Sequence, residues 1–160
     1  MATRYDGNPN VAFIDVGPFG VWGEGHTAAS SRVPEDRMSA IIEKHIDLYA
    51  NHFKHKLVDV NDDEATSEKP GWRFPETDYA LPEGFTLGDD NILAQPPPHS
   101  GFCDEMALAF WPHLPLILEH ELYGGSKQGG VWVGSLLRKS VEDYRASCMS
   151  THWRPREELS

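Results

Sequence analysis

Six of the chain's 12 prolines (Pro70, Pro75, Pro82, Pro96, Pro97 and Pro98) fall between Asp59 and Gly101, where neither helical nor alternating apolar periodicity survives. Proline fixes φ and removes a backbone donor, so no long helix or central strand is expected across these residues. Connections beyond about 15 residues in a compact domain signify either disorder or function. Disordered segments are poor in aromatic residues, yet this one carries Trp72, Phe74, Tyr79 and Phe85 at fairly even intervals. The stretch is therefore expected to lie extended along a surface, with those four rings as its interface anchors.

Charge singles out the same region. Between Asp59 and Asp90 there are ten acids against two bases, a balance of −8 out of the chain's −11. Nucleic acid and anionic membrane surfaces would both repel such a chain, which leaves a basic protein surface or solvent to face the block. Its plainest reading is a solvated acidic loop.

Elsewhere the periodicity is helical. Pro34 suits a first helical position, Glu35 and Asp36 favour the positive end of the dipole, and the pattern continues to about Leu57. Met38, Ile41, His45, Leu48, His52 and His55 recur at steps of three and four, widened by Ile42, Tyr49 and Phe53. The apolar run Met106–Leu118 holds 13 residues including His113, short of the roughly 20 a membrane span needs. It is expected to form a buried helical pair over 102–123, with Pro112 ending the first helix near Trp111 and Pro115 starting the second. Leu137, Val141, Tyr144 and Cys148 mark a last helix from about Ser135 to Met149, with Arg138–Glu142 and Lys139–Asp143 as exposed i,i+4 pairs. VAFIDV (11–16) reads as a short strand and GGVWVG as a brief strand or a close approach of backbone to core. No internal repeat is visible.

The expected fold is mainly α: three to four helices packed together, with long ordered Pro/Gly-rich irregular segments and at most a short strand or two. It forms a single domain over 1–160, comprising an extended arm (1–33), a long helix (34–57), an acidic wrapping segment (58–101), a helical part (102–150) and a polar tail (151–160).

Chemistry-bearing motifs are sparse. His52 and His55, at i and i+3, can share a metal ion such as zinc if Glu119 and His120 of LEHE complete the set; Glu121 is an alternative donor. The spacing matches neither His-Glu-x-x-His nor Glu-x-x-His, and a histidine rim beside a packing surface is the preferred reading of these rings. GGSKQGG lacks the Gly-Lys-Ser/Thr of a phosphate loop, and GEGHTA (23–28) has no strand–helix context for a dinucleotide fingerprint. Neither Cys103, near His99 and Asp104, nor Ser135 sits in a nucleophile motif. In so acidic a chain no carboxylate pair stands out. Two cysteines make no disulfide framework, so both are expected to be reduced and buried, and the N-terminus lacks a secretory signal, which points to an intracellular setting. The functional expectation is a non-catalytic accessory or scaffolding subunit of a protein assembly, without a cofactor. The alternative is a small metal-dependent hydrolase or lyase using the His/Glu set.

Overall fold

The computed structural model describes residues 1–17, 32–61, 79–89, 92, 104–120 and 123–151. Five strands, β1 (Phe13–Asp15), β2 (Leu57–Asn61), β3 (Thr86–Asp89), β4 (Ile117–His120) and β5 (Cys148–Thr151), form one sheet whose spatial order follows chain order. The β1–β2, β3–β4 and β4–β5 ladders are parallel. Parallel neighbours need a crossover. It is supplied by α2 (Glu35–His52) between β1 and β2, by α3 (Asp104–Phe110) between β3 and β4, and by α4 (Tyr123–Gln128) with α5 (Gly134–Tyr144) between β4 and β5. A short α1 (Ala2–Tyr5) precedes β1.

This α/β architecture overturns the mainly-α expectation. The strands run only three to five residues, and β2 and β3 are buried at nearly every position. A strand covered on both faces shows no polar–apolar alternation, so its sequence is indistinguishable from an irregular apolar run. The segment from Asp59 to Gly101, expected to hold no regular structure, contains the end of β2 and all of β3. Asp59 and Asp89, counted as parts of a solvated acidic loop, are 5% and 1% exposed.

Contacts along the chain resolve two compact units, Met1–Leu87 and Gly88–Ser160. In the first, α2 begins after Pro34, which caps the helix from an extended conformation, and stops at His52. The expected extension to Leu57 fails because Leu57 opens β2. The buried stripe of α2 is Ile42, Ile46, Tyr49 and Phe53, packed on Ile14, Val16, Val58, Val60, Ala80 and Phe85. Tyr49 and Phe53 stack with ring centroids 5.5 Å apart. Leu48 is 51% exposed and His52 lies open to solvent, so the buried face is rotated from the one the spacing suggested. Fully burying each such aliphatic side chain contributes about 1.5–3 kcal/mol. A turn closed by Gly84 N–H to Leu81 O (3.0 Å) and Phe85 N–H to Ala80 O (3.1 Å) launches β3. Gly84 takes φ +84 there, a value that favours glycine.

In the second unit α3 ends at Phe110, and Trp111, His113 and Leu114 form hydrogen-bonded turns back to Ala107 and Phe110. The second helix expected after Pro115 is instead strand β4. The α3 helix packs against α5. The α5 helix stops at Arg145, which adopts the left-handed conformation (φ 53) and donates its N–H to Glu142 O. The expected continuation to Met149 is strand β5, so Cys148 is an exposed strand residue and not a buried helical one. Both expected ion pairs on α5 form, Arg138 Nε to Glu142 Oε1 at 3.1 Å and Lys139 to Asp143. Val131 and Trp132 are buried and donate their N–H groups to Ser126 O, which makes GGVWVG a close approach of backbone to core. Among the described residues no helix is long and apolar enough to cross a membrane.

Candidate active site at the strand carboxyl ends

Polarity follows strand direction. The amino ends of β1 to β5 are Phe13, Leu57, Thr86, Ile117 and Cys148, of which Thr86 alone is a hydrogen-bonding residue of the polar class, whereas the carboxyl ends are Asp15, Asn61, Asp89, His120 and Thr151. In sheets built from strand–helix units the carboxyl ends of the strands carry ligand and catalytic groups, because the connecting loops gather there.

Register assigns faces within each unit. In the first, Ile14 pairs with Val58 and Asp15 with Asp59. Ile14 and Val58 belong to the core under α2, and side chains alternate along a strand. Asp15 and Asp59 therefore share the opposite face, with Asn61 two residues further along β2. Asp15 is exposed, while Asp59 and Asn61 are buried. Adjacent strands lie about 4.8 Å apart, so in-register carboxylates sit near one another. In the second unit Glu119 pairs with Ser150, and Asp89 pairs with Leu118. One residue separates Leu118 from Glu119, so Asp89 and Glu119 take opposite faces of β3 and β4. At the amino ends of β2 and β3 lies a cavity of about 270 Å³ lined by Phe53, Lys56, Val58, Glu83 and Phe85, a set that includes neither Asp15 nor Asp59.

The residues singled out from sequence fall elsewhere. His52 is the exposed last residue of α2, and His55 is exposed in the turn before β2, where its Nδ1 donates to Asp6 Oδ2 at 2.7 Å. The same Asp6 carboxylate accepts the Lys54 and His55 N–H groups, each at 2.9 Å. These contacts with His55 and Lys54, the His55 backbone bond foremost, hold the Asp6 carboxyl below its ordinary value. Glu119 is half-buried in β4 and His120 ends that strand. Among the described residues no three His, Cys, Asp or Glu side chains gather to hold a metal ion. His45 Nδ1 donates to Ile41 O at 2.8 Å within its own helix. Of the four aromatic anchors, Phe85 is buried in the chain's own core and Tyr79 is half-buried, donating its hydroxyl to Asp47 Oδ1 at 2.7 Å. That bond pushes the phenol up to about 12. Trp72, Phe74, Cys103 and GEGHTA lie outside the described residues.

The strand-end residues have a sequence signal in short apolar runs closing on an acid, as in AFID, LVDVND, TLGDD and ILEHE. Three of the strands end at Asp89, His120 and Thr151, 31 residues apart each time, about the length of one strand–helix unit. Comparison with family models, curated proteins and solved structures finds no match.

Proposed function

We propose that this chain is a carboxylate-dependent hydrolase whose chemistry occurs at the carboxyl ends of its strands, and that the bond it cleaves is glycosidic. The observation carrying this reading is the in-register pair Asp15–Asp59 on the face turned away from α2. Carboxyl groups about 5–5.5 Å apart suit retaining glycoside hydrolysis: one attacks the anomeric carbon while the other protonates the departing oxygen, and the latter then takes a proton from the water that hydrolyses the glycosyl-enzyme. Neighbouring parallel strands hold the two backbones about 4.8 Å apart, which lets the carboxyl groups reach such a spacing. An acidic rim also suits a neutral polyhydroxylated substrate, which brings no anionic charge to repel. A reducing intracellular compartment fits the exposed thiol of Cys148.

The test is turnover of a panel of nitrophenyl glycosides by the purified chain, beside Asp15→Asn and Asp59→Asn. Hydrolysis that falls by two or more orders of magnitude in kcat in each variant, with unchanged circular dichroism, is the expected outcome. Full activity in both variants, or no turnover of any glycoside, refutes the assignment.

A second reading, an accessory or scaffolding subunit within a larger assembly, is favoured by the exposure of Leu108, Trp111 and Val133 in the second unit. Light scattering decides it: a monomer that turns over glycosides by itself leaves that reading without support.

A further inference from the structure

We propose that the cavity between the end of α2 and the turn into β3 binds a free α-amino acid with an apolar side chain, held by Lys56 at its carboxylate and by Glu83 at its ammonium group. The cavity, of about 270 Å³, lies within the first unit, and its walls come from the end of α2, the start of β2 and the turn that launches β3. Pockets for drug-sized ligands begin near about 300 Å³, so this one suits a smaller metabolite. Phe53, Val58 and Phe85, which are 8%, 2% and 3% exposed, form its apolar wall.

Charge selects the ligand. Three ionic side chains among the described residues line the cavity, and they differ in what they already hold. Lys54 donates its ammonium to Ala50 O in the last turn of α2, where the helix dipole is negative. Lys56 is half-buried, and its ammonium makes neither a hydrogen bond nor an ion pair among the described residues. The Glu83 carboxylate makes none either. Its charge helps to raise the Tyr79 phenol, behind the Asp47 bond, but a neutral phenol leaves that charge unbalanced. A cation and an anion thus line one small cavity without pairing with each other. A carboxylate alone would answer Lys56 and be repelled by Glu83, and an amine alone would do the reverse. A zwitterion answers both, and its ammonium also suits the negative end of α2. The apolar wall then receives the side chain. The site shares no residue with the Asp15–Asp59 pair, so the inference stands whatever bond that pair cleaves.

Titration of the full chain with L-leucine, L-methionine and L-valine, followed by heteronuclear NMR, tests it. At least one should bind with a Kd of about 10 mM or below, shifting the amides of Phe53, Lys56, Val58 and Phe85. The two analogues of the tightest binder that lack its amino or its carboxyl group should each bind about fivefold more weakly or worse. Lys56→Met and Glu83→Gln alter side chains that make no bond within the fold, and each should weaken the amino acid by about three- to tenfold. Glu83→Gln should also erase the preference over the analogue without the amino group. If none of the three amino acids moves those amides at about 20 mM, the proposal is overturned. Binding of either analogue as tightly as the amino acid shows that a single charge is read and overturns it too, as does an unchanged affinity in either variant.

Discussion

The rotation of the buried face of α2 separates two side chains that sequence spacing treats alike. Ile46 is fully buried between β1, β2 and the aromatic pair Tyr49 and Phe53, whereas Leu48 is 51% exposed on the same helix. Ile46→Ala removes three buried carbons, about 2.4 kcal/mol at roughly 0.8 kcal/mol each. Incomplete collapse around the void brings the cost to about 3–4 kcal/mol, inside the usual range for such truncations. Leu48→Ala removes the same number of carbons from a half-solvated site and leaves no enclosed cavity, so it should cost about 1 kcal/mol or less. Urea unfolding followed by circular dichroism reads both, and an unchanged slope certifies that the comparison reflects stability. In a chain of this length the larger cost lowers Tm by about 6–16 °C. A Leu48→Ala cost equal to or above that of Ile46→Ala would refute the placement of the core and restore the stripe running through His45, Leu48 and His52.

Three further outcomes follow from single contacts. The Tyr79 phenol, pushed up to about 12 by its bond to Asp47, binds its proton more tightly folded than unfolded. Its stabilisation is therefore complete below about pH 10 and lost as pH rises through 12; absorbance titration should show the step, and Asp47→Asn should lower it. The Asp6 carboxyl has the opposite sign: held below its ordinary value of 3.8, it stabilises the fold above that pH and the contribution fades as pH falls through its lowered value. Amide exchange at Lys54 and His55 should accelerate in that window, and Asp6→Asn should remove the dependence. The Arg145 guanidinium lies 4.6 Å from the Trp111 ring centroid, on a residue whose φ of 53 favours glycine. Arg145→Ala should cost about 0.5–1 kcal/mol by thermal melting, and Arg145→Gly should recover about the same amount through its backbone freedom.

What was legible in the sequence were the elements that carry a period. The α2 and α5 helices were placed because ten or more residues repeat an apolar spacing, and both i,i+4 pairs of α5 followed from that spacing. The strands were not legible, because three to five residues buried on both faces offer no alternation to count. Each helix was overextended into the strand after it: Leu57 joined the stripe of α2, and Cys148 joined that of α5. The prolines do not exclude strands, for a related reason. Pro82 and Pro115 stand outside β3 and β4, and so do not interrupt them. The Asp15–Asp59 pair is hidden by the abundance of acids, since nothing in a composition with 25 of them marks these two as neighbours until the strands are placed.

The direction of polarity along the strands bears on purpose more than on stability. Burying a carboxylate costs free energy unless charges or donors compensate it, and apolar replacement at such positions is often neutral or stabilising. In the first unit β2 buries Asp59 at its centre and Asn61 at its carboxyl end. The amino end of that strand is Leu57, and its partner β1 opens on Phe13. Polar residues at the carboxyl end of a strand are what a site for a ligand requires. The same asymmetry ties the two units to one design without reference to their mutual placement: β2 in the first and β4 in the second each run from an aliphatic residue to polar ones within five positions. An Asn61→Leu variant that folds more stably but loses glycoside turnover would show both halves of that argument at a single residue.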